Sequence, residues 1–217
     1  LRLSPGTLGG KWQRHFSFEE RGIARALAAG PDGSVAVTGR VLPTDDYEES
    51  IFLWFVNSSG VMTGQYEYHG GRDDEAFDIV RLDDSYVITG FADPPGVTSD
   101  LLVARFTETG AIQFVKRFGY LGHEDAADEG HAVDLTSDGF LVVGGEARAY
   151  GAGEADFWIM KMTTAGEVEP LGTDFALTSR SLSVSQSQVY YIVTDTSVSR
   201  SPTVATVDDT PGTIGYQ

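Results

Sequence analysis

A glycine that ends an apolar run recurs three times along this chain at nearly constant spacing. The runs DGSVAVTG, DDSYVITG and DGFLVVGG end at Gly39, Gly90 and Gly145, which are 51 and 55 residues apart. A second glycine follows each run, and these lie 50 and 56 residues apart, at Gly60, Gly110 and Gly166. A period close to fifty residues is typical of stacked repeats. We therefore expect a series of similar units rather than one irregular core.

Turn signals divide each repeat into four strands, A to D. In the second unit we predict these strands at 76–82, 86–89, 101–106 and 112–118. The B and C strands are almost continuously apolar, which predicts sheets that are covered on both faces. Blades that stack face to face around an axis provide such cover, so the pattern favours an all-β fold of the β-propeller type.

The predicted architecture is a single β-propeller domain over 1–217 with about four four-stranded blades. The blades are expected at about 21–70, 71–119, 126–172 and 177–217, the last joined by 9–16. The fourth unit is degenerate, with strands at 189–194 and 203–207. Segment 11–16 resembles an outer strand, and we expect it to complete the last blade and close the ring. The alternative is that the chain is a slice of a longer array.

Composition excludes several classes of function. The chain has 32 acidic and 15 basic residues, a net charge of −17, and no cysteine. Such an acidic surface repels nucleic acid and anionic membranes. No apolar stretch reaches the roughly 18 to 20 residues of a membrane helix, so membrane insertion is not expected. Without cysteine, disulfides and zinc–thiolate sites are excluded.

The long connections are where a site is expected. In such a blade the A–B and C–D connections are tight turns on one side of the disc. The B–C and D–A connections are long, lie on the other side, and carry 18 of the 32 acidic residues. Because functional residues concentrate on loops held by a rigid scaffold, this acidic side is the predicted functional side.

Clustered carboxylates on these loops are candidate calcium ligands, since calcium takes six to eight oxygens in irregular geometry. The candidates are Asp73, Asp74, Glu75, Glu124, Asp125, Asp128 and Glu129. An acid before strand A recurs in the clear units, so the alternative is a structural hydrogen bond or turn. His123 and His131 flank the second cluster and form a weaker candidate for a transition metal. Calcium is the one cofactor that the sequence suggests.

Aromatic residues on the same side are candidates for partner binding. Tyr47, Phe91, Tyr120 and Tyr150 could stack on sugar rings or anchor a protein partner. Carboxylate pairs are abundant enough to suit a glycoside hydrolase, but abundance alone does not raise the pKa of an acid. No serine lies in a G-x-S-x-G elbow and no phosphate-binding loop is present. We therefore expect the protein not to be an enzyme.

The repeated motifs resemble the bacterial β-propeller repeats of the SBBP and delta-60 type. They combine a DG turn, a V-x-V-x-G strand, a T-x-x-G turn and an aromatic-rich strand, over roughly residues 9 to 170. Phe55 stands where the other units have Arg105 and Lys161, and Asp195 replaces the expected glycine.

The resemblance implies a secreted, periplasmic or cell-surface bacterial protein without a common catalytic set. The expected function is a non-catalytic binding or structural module that mediates protein–protein interaction within a larger assembly. A calcium-supported, lectin-like glycan-binding propeller is the second hypothesis, and a glycoside hydrolase is the third.

Overall fold

A computed structural model describes residues 12, 14–16, 21–42, 48–93, 98–120, 127–148, 155–168, 177–181 and 185–187. These residues form thirteen β-strands and contain no helix, which confirms the all-β class over the described ranges. The strands are β1 Arg21–Ala29, β2 Val35–Leu42, β3 Ser50–Val56, β4 Met62–His69, β5 Asp74–Leu82, β6 Ser85–Ala92, β7 Asp100–Thr107, β8 Ile112–Tyr120, β9 Glu129–Leu135, β10 Leu141–Ala147, β11 Asp156–Met162, β12 Leu177–Ser181 and β13 Ser185–Ser187.

The strands form three antiparallel sheets that follow the repeat units. The first sheet has the order β1-β2-β3-β4-β13, the second β5-β6-β7-β8-β12, and the third β9-β10-β11. Strands β1 to β4 and β5 to β8 lie where the sequence predicts strands A to D of the first two units. The third unit has its A, B and C strands, and residues 163–168 after them form no strand.

Tight turns connect the A and B strands and the C and D strands, as predicted. The second glycine of each repeat, which we call the second-set glycine, closes the C–D turn with a positive φ, for example +78° at Gly60 and +75° at Gly110. This left-handed conformation is strained for residues with a side chain, which explains why glycine recurs there. Asn57 fixes the first of these turns by accepting hydrogen bonds from the backbone N–H groups of Ser59 and Val61, both at 3.0 Å.

The sheets stack face to face, with the second between the other two. Strand β5 lies against β1 and β2, and β9 lies against β5 and β6. In β6, Ile88 belongs to the core shared with the first sheet and Val87 to the core shared with the third. Both side chains are fully buried. The continuously apolar B strand of the second unit therefore results from cover on both faces, as predicted.

Backbone hydrogen bonds repeat at the two sheet-to-sheet contacts. The N–H of Asp74, at the start of β5, donates to the carbonyl of Glu49, just before β3, at 2.9 Å. One repeat later, the N–H of Asp128 donates to the carbonyl of Ser99, just before β7, at 2.8 Å. Equivalent positions thus join successive sheets, and the repeat in sequence is also a repeat in space.

Aromatic side chains cover the C–D turn glycines from the preceding unit. The ring of Tyr66 in β4 lies over Gly110, and that of Phe114 in β8 lies over Gly166. Trp12 covers Gly60 in the same way and donates from Nε1 to the Ser58 carbonyl at 3.0 Å. Trp12 therefore packs on the first sheet as a residue in an outer strand of a preceding unit would.

The described residues form no closed barrel or closed ring. The predicted strands at 189–194 and 203–207 lie outside them, so the fourth unit stays a prediction. Segments 177–181 and 185–187 are edge strands on β8 and β4. In the part of the chain that the structure describes, no helix has the length and apolar character needed to span a membrane.

Candidate functional site

The long connections enter the sheets at one common end, where the first strand of each sheet begins. We call this end the inner-strand rim. It comprises the first residues of β1, β5 and β9 and the last residues of β2, β6 and β10, which pair with them. We include in it the residues directly before β5 and β9, so that the rim contains every predicted calcium ligand that the structure describes, namely Asp73, Asp74, Glu75, Asp128 and Glu129.

A β-bulge occurs at the same point of each inner strand. The register shifts between Ala24 and Ala26 in β1 and between Ala76 and Asp78 in β5. In β9 it shifts opposite the Gly144–Gly145 step of β10. A bulge leaves one residue outside the ladder and re-aims its side chain. The three residues placed in this way are Arg25, Phe77 and His131.

These bulges require the glycine that ends each apolar run, which we call the first-set glycine. A Cβ atom on Gly39 would lie 2.0 Å from the carbonyl oxygen of Ile23 in the opposing strand. On Gly90 and Gly145 it would lie 1.9 and 2.0 Å from the corresponding carbonyl oxygens. No side chain fits at such distances, so the glycine allows the bulged backbone to approach its neighbour.

The three bulge residues form a row that crosses all three sheets. The Arg25 guanidinium lies 5.6 Å from the centre of the Phe77 ring. The Phe77 ring stacks on the imidazole of His131, with centroids 5.2 Å apart and an interplanar angle of 30°. We call this row the bulge ladder. Its ends, Arg25 and His131, are exposed, so the ladder presents a cation and an aromatic surface to solvent.

Ion pairs hold the rim of the first and second sheets. Arg25 Nε lies 2.5 Å and Arg40 Nε 3.5 Å from Oε1 of Glu75, which is buried. Arg40 also binds Glu49, and Arg21 Nη2 lies 2.7 Å from Glu49 Oε1. A buried carboxylate is stable only when it is paired in this way. The predicted calcium ligand Glu75 is therefore already engaged by two guanidinium groups.

Asp74 and Asp128 hold the loops at the start of the inner strands. The buried carboxylate of Asp74 accepts hydrogen bonds from the N–H groups of Gly70 at 2.5 Å and Asp93 at 3.1 Å. Burial raises the pKa of Asp74 to about 6, although these hydrogen bonds act in the opposite direction. The equally buried Asp128 accepts from the N–H of Arg148 at 2.9 Å. These two acids make structural hydrogen bonds of the kind expected as the alternative to calcium binding.

The third sheet carries the arrangement best suited to a metal ion. One ligand atom each of Glu129, His131 and Glu146 lies within 4.8 Å of the other two. Glu129 faces Glu146 across the strands, and burial together with the Glu146 charge raises the pKa of Glu129. Two carboxylates and an imidazole suit a divalent transition metal. Arg148 Nη2, 2.8 Å from Glu146, competes for one of these carboxylates.

The remaining predicted residues are only partly described. Phe91 lies in β6 and packs on Phe77 with ring centroids 5.8 Å apart, instead of standing in a loop. Tyr120 is described by its backbone, which pairs with Leu177. The other predicted residues lie outside the described ranges: Tyr47, His123, Glu124, Asp125 and Tyr150.

Sequence reasoning missed the bulge ladder because a bulge leaves no pattern of its own. Arg25 and Phe77 sit inside strands that read as regular, and neither was a candidate. The available signal was indirect: a glycine recurring in the middle of an apolar strand indicates close backbone approach. No family model and no curated protein matches this chain.

Proposed function

We propose that the chain is a β-propeller of about four blades that acts as a non-catalytic binding module, with the inner-strand rim as its recognition surface. The bulge ladder is the observation that carries this proposal. It places Arg25, Phe77 and His131 in one row on three separate sheets, with Phe77 half-buried between the exposed Arg25 and His131. Arginine and aromatic side chains are the residues most enriched in the energetic centres of protein interfaces.

The rim is suited to recognition because its side chains are already fixed. The ion pairs of Glu75 with Arg25 and Arg40 restrict the residues around the ladder before any partner arrives. Pre-organised side chains lose less conformational entropy on binding. Glu129 and Glu146 lie beside His131, and the chain as a whole carries a charge of −17. A protein partner with exposed basic groups complements this field.

The repeated contacts between sheets support the propeller assignment. The Asp74–Glu49 and Asp128–Ser99 hydrogen bonds occupy equivalent positions, as do the rings over Gly110 and Gly166. Stacked sheets with these regular contacts are the arrangement of successive blades. By the resemblance to SBBP and delta-60 repeats, the module belongs to a larger assembly that is secreted, periplasmic or on the bacterial cell surface.

Binding to an array of basic and acidic peptides tests the protein-binding function. We expect lysine- and arginine-rich peptides to bind the native chain and to bind Phe77→Ala at least about tenfold more weakly. Phe140→Ala is the matched control, because Phe140 is an exposed aromatic residue at a tight turn away from the rim. Equal binding by both variants, or no preference for basic peptides, would overturn the proposal.

The second candidate is a lectin-like module supported by calcium or another divalent cation, and the Glu129–His131–Glu146 cluster favours it. It predicts binding on a glycan array that EDTA removes and that Glu146→Gln abolishes. Release of reducing sugar from the same glycans would instead support the third hypothesis, a glycoside hydrolase. The ladder variant Phe77→Ala separates these from peptide recognition, because Phe77 contributes no metal ligand.

A further inference from the structure

The outer face of the third sheet carries large apolar side chains that no described residue covers. Phe157 is 86% exposed and Ile159 is 66% exposed. Both lie in β11, where they alternate with Met160 and Met162, which are buried against the second sheet. An exposed pair of this size in the middle of a sheet indicates a surface that another element covers.

The same positions are buried in the other two sheets. Phe157 pairs with the residue after the first-set glycine, and Ile159 pairs with the residue before it. By this register their equivalents are Ile51 and Leu53 in β3, and Leu101 and Val103 in β7. All four are at most 3% exposed because the following sheet packs on them. Phe157 and Ile159 therefore occupy positions that a following sheet would cover.

The opposite end of the stack has a matching uncovered position. Leu27 in β1 is 66% exposed, whereas its equivalents Ile79 and Val133 are 5% and 6% exposed against the preceding sheet. One additional layer that lay against the outer face of the third sheet and also against the outer face of the first sheet would bury Leu27 together with Phe157 and Ile159.

After the third sheet, the chain runs back towards the first sheet, beside which the additional layer would lie. Residues 177–181 pair with β8 at the edge of the second sheet, and 185–187 pair with β4 at the edge of the first. The chain thus reaches the first sheet at residue 187, with 30 residues still to follow. Those residues contain apolar runs at 189–194 and 203–207, each long enough for a strand.

Residues of the N-terminal segment already lie against the first sheet, next to the position of the additional layer. The Phe16 ring meets Trp54 edge-on, with centroids 5.9 Å apart, and Trp12 binds the Ser58 carbonyl. Trp54 and Leu27 lie on the same face of the first sheet, because Val37 pairs with both. This segment can therefore supply the outer strand of the additional layer.

We propose that residues 189–217 form this additional layer of strands and pack on the outer face of the third sheet, where they bury Phe157 and Ile159. A polar contact accompanies the apolar one. Arg105 in β7 donates to the Thr164 carbonyl in the turn of the next sheet, at 2.9 Å. Lys161 occupies the equivalent position in β11, where its Nζ donates to Asp138 at 2.5 Å, and the turn that begins at 208–209 would bring two more aspartates to it. The proposal rests on the repeat fold and not on recognition at the rim.

Single-cysteine labelling tests this proposal in the full chain, because the native chain has no cysteine. We expect the thiol of Ile159→Cys to react with a thiol reagent at least about tenfold more slowly than that of Val61→Cys. Val61 is 54% exposed, at the turn between β3 and β4. Equal rates would overturn the proposal, and protection that rises with protein concentration would assign the face to a second copy instead.

A second measurement identifies the occupant. Ile159→Cys is combined in turn with a cysteine at each position from Tyr190 to Val193, and the chain is treated at low concentration with a bis-maleimide that spans about 10 Å, the distance between packed sheets. A cross-link within the monomer in at least one pair is the expected result, measured by mass. Protection of Ile159→Cys without any monomeric cross-link to 190–193 would overturn this assignment. Failure of peptide binding at the rim would leave both results unchanged.

Discussion

At the scale of single residues, Asp74 shows how an acidic residue on the side of the long connections contributes to the fold. Its carboxylate lies beside an apolar cavity that Ile51, Tyr68 and Ile88 help to line. Two N–H groups stabilise its charge there, but burial dominates and raises its pKa to about 6. Asp74 thus connects the Gly70 loop to the Asp93 loop. The free energy that it costs to bury the charged carboxylate depends on pH.

This cost predicts how stability changes with pH. Because the folded-state pKa of Asp74 lies above the unfolded value of 3.8, the native state holds this proton more tightly. The free energy of unfolding should therefore fall as pH rises from about 4 to about 6, by on the order of 3 kcal/mol from this group. Urea denaturation across this range should show the fall in the native chain and a smaller fall in Asp74→Asn, which keeps the contribution of Glu129.

Asp84→Asn is the matched control, because Asp84 is an exposed acid in the turn between β5 and β6. It should keep the pH dependence of the native chain. A pH dependence that is equal in Asp74→Asn and the native chain would contradict the assignment to Asp74.

At the scale of elements, the C–D turns are where one unit joins the next. Gly110 has a positive φ, and a Cβ atom there would lie 2.5 Å from the Tyr66 ring of the preceding unit. Gly139, in the A–B turn of the third unit, has φ +82° with nothing within 4 Å of its Cβ position. The two glycines share the backbone conformation but differ in their surroundings.

This pair separates backbone strain from packing between units. Gly139→Ala should lower the free energy of unfolding by about 1 kcal/mol, the cost of the left-handed backbone. Gly110→Ala should cost about 2 kcal/mol more, since the ring of Tyr66 must also move. Chemical denaturation of both variants measures the difference. Equal losses would mean that the Tyr66 ring shifts freely and does not fix the stacking of the sheets.

The elements also show what the sequence could and could not predict. The strands of the first two units were predictable because glycine and turn residues separate apolar runs such as 86–89. The bulges were not, because Arg25 and Phe77 fall in runs whose composition suits a regular strand. The pairing of Glu129 with Glu146 was also hidden, since it depends on the register that the bulge shifts. The hydrogen bonds of Asp74 and Asp128 agree with an alternative that the recurrence of acids already suggested.

At the scale of the whole molecule, the net charge of −17 opposes folding through repulsion between carboxylates. Added salt screens this repulsion. We expect the melting temperature to rise when NaCl is added to a dilute buffer, and to rise by the same amount in CaCl2 of equal ionic strength. The physical reason is that Asp74, Glu75 and Asp128 are already bound by the protein's own donors.

Thermal unfolding in the two salts, followed by EDTA, measures this. A rise in melting temperature specific to calcium and reversed by EDTA would favour the calcium-supported alternative. Repeating the calcium series with Glu146→Gln would then show whether the ion binds at the third sheet.

The bulges also bear on how copies of such a repeat diverge. A bulge residue takes no part in the hydrogen-bonded ladder, and the first-set glycine beside it accommodates the backbone whatever side chain it carries. Arginine, phenylalanine and histidine occupy the three equivalent positions without disturbing the stacking. The backbone at this position thus tolerates different side chains, so duplicated units can acquire new specificities there while the stacking of the sheets stays constant.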